Sequence, residues 1–552
     1  MSLADLARRP LNPPLVLAVD LAEPAVDPPP ASLIEKAAGA RGPALKDLLD
    51  TLEDAATDAK VHSLVIRVGN PAMDWAVAEE LRGAIKRFRA SGRRVVAHAE
   101  TFGEQGEAHL AYYVASACDE VHLQPSGALP LVGVALEALF VRGLLDKLDV
   151  DPQVGHRREY KSAKNMLTET EFTEAHRESL DRIVASLSEQ LAAAVADGRG
   201  MTADAVARVI DGGPYLAEDA VQAGLVDRLC YRDETVRTLK DAAGEHAVVR
   251  TWNVYRAARK RRPRLPVKQT RVALIHGRGG IQLGRSRPAG LMGPVMGADT
   301  VVKAFRTAIN DKSIKAILFR VNSPGGSAVA SDAILREVVR ARNAGKPVVV
   351  SMGAIAGSGG YWIAMDADKI IAAPGTLTGS IGVVMGKLVT RKIWERLGVT
   401  SESVQRGENA RMYSPKEGFT DEQWAKNDEQ LDEIYELFVN KAAAGRNLDS
   451  AEVEPHARGR VWTGADAHER GLIDDLGGYH ESLAAIRELL ELDTDAKLNL
   501  VTLPKTGLAE RFDKRSPELT DAARLLIQAG EVTGRIRAQA GTRGASARMT
   551  DF

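Results

Sequence analysis

Short apolar runs alternate along this chain with longer segments of helical period. Pro14-Leu-Val-Leu-Ala-Val19, Ser63-Leu-Val-Ile-Arg-Val68, Arg94-Val-Val-Ala97 and Glu120-Val-His-Leu123 have the length and β-branched content of strands. Between the first two, Leu45, Leu48, Leu49 and Leu52 recur at i, i+3, i+4 and i+7, which places them on one helix face. The segment 32–60 reads as mostly helical with a break at Gly42-Pro43. Further helices are predicted over 75–90 and through Ala111-Tyr-Tyr-Val-Ala115. Strands alternating with helices predict a largely parallel sheet with covering helices.

The pattern then repeats. Leu64-Val-Ile-Arg-Val-Gly-Asn-Pro71 matches Ile317-Leu-Phe-Arg-Val-Asn-Ser-Pro324, and Tyr112-Tyr-Val-Ala115 matches Tyr361-Trp-Ile-Ala364. Pro125 and Gly133 pair with Pro374 and Gly382, and Ala223-Gly-Leu-Val-Asp227 pairs with Arg470-Gly-Leu-Ile-Asp474. All lie about 250 residues apart, far beyond the period of a solenoid, so a whole domain is duplicated. The expected organisation is a first α/β domain over 1–255, a basic, proline-containing linker over 256–268, a second α/β domain over 269–500, and a tail over 501–552. Within that tail, 519–540 could form an amphipathic helix.

Composition narrows the class. The 552 residues are 45% hydrophobic and 27% charged with a net charge of −1, as in a soluble globular protein and without the charge excess of a polyanion binder. Cys118 and Cys230 are far apart and belong to no Cys/His cluster, so neither a disulfide framework nor a zinc site is indicated. No metal or cofactor is expected, and no nucleic-acid partner. No span of about twenty apolar residues is present.

The two copies differ where chemistry would sit. In the second, the apolar run Pro347-Val-Val-Val350 leads through Ser351-Met-Gly353 to Gly357-Ser-Gly-Gly-Tyr361, which places Ser358 between a strand and a buried helix. Helix starts offer unpaired N–H groups and a positive dipole end, which suit a nucleophile or an anion, although a serine there can simply cap the helix. The Tyr112/Tyr361 match sets His109 opposite Ser358, and Gly325-Gly326 has Ala72-Met73 as its counterpart. The first copy thus lacks both glycine-rich pieces. It carries Lys161 where the second carries Arg411. Arginine stays protonated, whereas a buried lysine can fall from about 10.4 towards neutrality and act as a base. Lys164 is a rival for that role. His276, His456, His468 and His480 lie in no glycine-rich strand-to-helix turn like that of Ser358, and a G-x-S-x-G elbow is absent because position 356 is alanine. One composite site, with a serine from the second copy and a lysine from the first, fits these differences.

Asn322-Ser-Pro-Gly-Gly326, Ser351-Met-Gly353, Gly357-Ser-Gly-Gly-Tyr361, Leu377-Thr-Gly-Ser-Ile-Gly-Val383 and Tyr160-Lys-Ser-Ala163 together resemble signal peptide peptidase A, or protease IV, in its long tandem-domain bacterial form. The resemblance spans nearly the whole chain. It implies two ClpP/crotonase-like domains and a Ser-Lys dyad that cleaves hydrophobic peptides such as remnant signal peptides. By motif, Ser358 is the implied nucleophile, Lys161 the base, Ser380 the hydroxyl orienting the lysine, and the Gly359 and Gly326 N–H groups the oxyanion hole. It also implies a homo-oligomer, a tetramer by family habit. Long-form relatives usually begin with a transmembrane anchor, and this chain shows none, so a cytoplasmic or peripheral membrane location is expected. Two other readings remain open at this point: a crotonase-type acyl-CoA enzyme that uses a backbone oxyanion hole without a serine nucleophile, and an inactive peptide-binding scaffold.

Overall fold

A computed structural model of the chain describes residues 13–23, 25–27, 42–69, 73–104, 108–261, 269–290 and 293–504. The tail helix anticipated over 519–540, residues 32–41 of the first predicted helix and residues 262–268 of the linker lie outside the described residues.

Each half builds the same six-stranded path. In the first half the spatial order is Arg228–Leu229, Glu120–Leu123, Arg94–Ala99, Val61–Arg67, Leu15–Asp20 and Val248–Thr251. In the second it is Asp475–Leu476, Lys369–Ala372, Val348–Gly357, Ile314–Ser323, Thr270–Arg278 and Leu498–Leu503. All neighbours along both paths are parallel. The central strands are buried on both faces, which is why they read as continuous apolar runs and not as alternating ones. The fold class is the expected one, a mainly parallel α/β architecture occurring twice in one chain.

Local signals explain the helix boundaries. Asp74 and Ser327, at equivalent places in the two halves, accept hydrogen bonds from the N–H groups of Val77 and Ala330 and so cap the helices Trp75–Ala90 and Ala328–Asn343. The helices Glu174–Arg199 and Asp421–Arg446 are both 26 residues long, both capped by threonine, and both stopped by a left-handed residue, Gly200 or Asn447. Two expectations are corrected. The strand anticipated at 347–350 continues to Gly357, because its neighbour changes midway: Val349–Met352 lie beside Lys369–Ala372, and Ile355–Gly357 lie beside Leu377–Gly379. The buried helix expected after Ser358 is a single turn, Gly359–Trp362.

The halves share apolar interior. Val348, Val350 and Met352 belong to the core of the second half, whereas Val349, Leu318, Leu274 and Ile371 face the other way, into the core that contains Leu45, Val77 and Leu81 of the first half. A buried ionic seam follows the same contact. Arg320 donates to Asp27 (2.7 Å) and Glu80 (2.6 Å) of the first half and to Ser351 Oγ (2.8 Å) on the neighbouring strand. Burial pushes the Asp27 carboxyl up, but the Arg320 and His276 charges and the Tyr479 hydroxyl outweigh it and hold it below the usual range. For Glu80 burial wins, and its carboxyl is raised.

A second join links the halves through a pair of strands. The strand Asp151–Arg157 leaves the first half and pairs antiparallel with Val383–Val389 of the second, Arg157 opposite Val383. The chain that follows Arg157 is thereby delivered beside the turn that precedes Val383. Those two stretches hold Lys161 and Ser380.

Candidate active site

The strand Val348–Gly357 ends directly at Ser358, whose φ of 54° and ψ of −120° match the first central residue of a type II′ turn. A non-glycine residue held there costs about 1–3 kcal/mol and persists only when its surroundings impose it. They do. The Ser358 N–H donates to Gly379 O (2.9 Å), and Tyr361 and Trp362 in the next turn are fully buried. The Tyr361 hydroxyl is pinned to Leu472 O at 2.9 Å. The Ser358 side chain makes no cap bond to the helix it precedes, so helix capping does not account for it.

Lys161 is 4% exposed, and its amine lies 3.0 Å from Ser358 Oγ, 2.9 Å from Ser380 Oγ and 2.8 Å from Ser380 O. None of these partners is a carboxylate. Burial alone pulls the amine from 10.5 down to about 7. Ser380 also has a positive φ, 51°, and its N–H donates to Arg460 O at 2.7 Å.

The Gly325-Gly326 turn packs against the serine. A Cβ on Gly325 would lie 2.7 Å from the Gly359 nitrogen and 2.8 Å from Ser358 Cβ, so only glycine permits this approach. Gly326 has φ 149°, and a Cβ there would meet Ile281 O at 2.2 Å. Ile281 holds the turn by donating to Gly325 O (2.8 Å) and accepting from Ser327 N–H (2.9 Å). The N–H groups of Gly326 and Gly359 donate to no described residue.

The structure therefore brings Ser358, Lys161, Ser380, Gly326 and Gly359 together from four separate stretches. Lys164, His276, His456, His468 and His480 are not among the hydrogen-bond partners of Ser358; His276 lies in the strand Thr270–Arg278 near the Arg320 seam, and His480 pairs with Glu53. Arg411 pairs with Glu417. In the first half His109, opposite Ser358 in the repeat, is buried at the start of the helix His109–Ala115. Among the described residues no group of His, Cys, Asp and Glu could hold a metal ion, and no helix is long and apolar enough to cross a membrane.

One stretch at the site escaped the sequence reading, Arg458-Gly-Arg460. Tyr160 N–H donates to Arg458 O (3.2 Å) and Gly459 N–H to Ile381 O (2.7 Å), so this loop bridges the lysine turn and the Ser380 turn. Gly459 has φ 83°, and a Cβ there would sit 2.5 Å from Lys161 Cβ. A glycine between two arginines carries no signal of a partner some three hundred residues earlier in the chain.

A strained serine at a strand end, beside unengaged backbone N–H groups in a parallel α/β scaffold, is the arrangement of a serine hydrolase. Comparison with known proteins makes the class specific. The chain belongs to peptidase family S49, whose model matches residues 87–245 and 340–493, one region in each half. It is 31% identical to the chloroplastic serine protease SPPA of Arabidopsis thaliana over 85% of this chain and 69% of that protein. It is 30% identical to protease 4 of Haemophilus influenzae, over 81% of this chain and 73% of the relative, and 32% identical to protease 4 of Salmonella typhi, over 81% and 72%. The chain is a serine peptidase, and the acyl-CoA reading is set aside.

Proposed function

We propose that the chain hydrolyses hydrophobic peptides, remnant signal peptides among them, through a dyad of Ser358 and Lys161. The observation that carries this reading is the buried Lys161 amine 3.0 Å from Ser358 Oγ, with no carboxylate partner among the described residues. A neutral amine donates two hydrogens and accepts one. Ser380 Oγ and Ser380 O take the two donated hydrogens, which turns the lone pair to the Ser358 hydroxyl. Lys161 accepts the Ser358 proton as Oγ attacks the scissile carbonyl. The carbonyl oxygen becomes an oxyanion facing the Gly326 and Gly359 N–H groups, and one such donor is worth about 3 kcal/mol in the transition state. Collapse breaks the C–N bond, Lys161 returns the proton to the leaving amine, and water then releases the acyl group from Ser358 by the same base.

The test is covalent labelling by a fluorophosphonate together with turnover of a fluorogenic hydrophobic peptide. Wild-type protein is expected to be labelled at Ser358, and Ser358→Ala and Lys161→Ala to lose both labelling and turnover while remaining folded by circular dichroism. Full turnover by Lys161→Ala would show that another group serves as the base.

A further inference from the structure

The residues around Lys161 form a second set of contacts that the chemistry above does not use. Arg460 stands opposite Ser380, one position beyond the antiparallel pair Gly379 and Val461. Its guanidinium lies between two rings, 4.8 Å from the centre of Tyr160 and 4.3 Å from that of Trp462. It donates to Glu178 Oε1 at 2.7 Å, and the Tyr160 hydroxyl donates to Glu178 Oε2, also at 2.7 Å. The Arg460 Nε is buried without an acceptor among the described residues. A guanidinium held this way gives up hydration at one of its donors, a cost that surface solvation would avoid. What the arrangement secures is geometry. Tyr160 is covalently next to Lys161, the Arg460 carbonyl holds the Ser380 N–H, and Glu178 belongs to the long helix Glu174–Arg199 of the first half.

We propose that Arg460 is a positioning residue: clamped by Tyr160, Trp462 and Glu178, it sets the distance between the Lys161 amine and the hydroxyls of Ser358 and Ser380. The inference rests on the Ser358–Lys161 reading above. Arg460→Met keeps the aliphatic stem between the rings and removes the charge and the planar fork that reaches Glu178. A displacement of about 1 Å at a base costs up to ~100-fold in rate, so kcat is expected to fall roughly 10- to 100-fold while KM stays within about 2-fold, and fluorophosphonate labelling of Ser358 to slow by the same factor. Wild-type kcat in Arg460→Met, or a raised KM at an unchanged labelling rate, overturns the proposal. If Arg460→Met does not fold, Tyr160→Phe decides: it removes only the hydroxyl bound to Glu178, and a loss of several-fold in kcat at constant KM is expected, an unchanged kcat being the adverse result. Lys161→Ala measured alongside separates the two levels. Activity retained by Lys161→Ala sinks the dyad itself, whereas an inactive Lys161→Ala beside a fully active Arg460→Met sinks only the role of Arg460.

Discussion

The two halves hold their sheets with the same pins. Tyr112 donates to Leu225 O at 2.7 Å, and Tyr361 donates to Leu472 O at 2.9 Å. Arg199 pairs with Asp227, which accepts from Val121 N–H; Arg446 pairs with Asp474, which accepts from Ile370 N–H. Asp119 caps Val95 N–H, and Asp368 caps Val348 N–H. Each pin satisfies a polar group of the scaffold that burial would otherwise penalise, so neither half can discard it cheaply. The loops at the strand ends carry no such obligation. There the halves diverge: one has His109, the other Ser358 among its glycines. A shared fold with unlike strand-end loops follows from which groups are needed to close the scaffold and which are not.

The sharpest way to break this division is to give Lys161 the residue its counterpart carries. Lys161→Arg keeps the positive charge but cannot lose its proton, so turnover of the hydrophobic peptide is expected to fall by about 10⁴-fold or more, as when a triad base is removed. In the wild type, the acid limb of kcat/KM should lie near pH 7, with activity rising as the amine deprotonates and falling below that value. The same shift has a stability sign. Between about pH 7 and 10.5 the unfolded chain binds the Lys161 proton and the folded chain does not, so stability rises with pH across that window. A pH–rate profile with no acid limb near 7 would count against a lysine base.

Next in size is the seam. Arg320→Met leaves Asp27 and Glu80 buried without their cation, a change that costs about 3–5 kcal/mol when one partner of a buried pair is removed. The loss should appear as a lower urea midpoint at unchanged slope. A midpoint within error of wild type would mean that the seam adds nothing to the joining of the halves.

Gly326→Ala tests the loop that the first half does not share. A Cβ there meets the Ile281 carbonyl, so the turn must move and carry its N–H away from Ser358. Losing one oxyanion donor costs about 10²- to 10³-fold in kcat. Unchanged kcat in a folded Gly326→Ala protein would remove Gly326 from the oxyanion hole.

How much of this was legible follows from the range of each interaction. The strands Glu120–Leu123 and Leu15–Asp20 and the helix Trp75–Ala90 are written in local periodicity and a capping aspartate, so their bounds follow from short windows. The pairing of Ser358 with Lys161 became a candidate only because the repeat exposed what each copy lacked. The Arg458–Arg460 loop was not readable, since its contacts to Tyr160 and Lys161 join stretches that no periodicity relates. Nor was the continuation of the strand to Gly357, which depends on a neighbour that takes over partway along it.

The smallest expected effect closes the comparison, because it concerns the residue that the repeat sets against Arg320. Arg67 occupies the equivalent strand position but faces Asp20 and Glu100, with its side chain 31% exposed and theirs 48% and 33%. Water competes for all three groups, and an exposed ion pair contributes about 0–1 kcal/mol. Arg67→Met is therefore expected to lower stability by less than about 1 kcal/mol and to leave peptide turnover unchanged. The pair of variants isolates context from sequence: the same residue type, in the same strand of the same fold, is expected to differ several-fold in its contribution because Arg320, unlike Arg67, is closed off by the other half. Equal losses in the two variants would show that the strand position, and not the burial between the halves, sets what the arginine contributes.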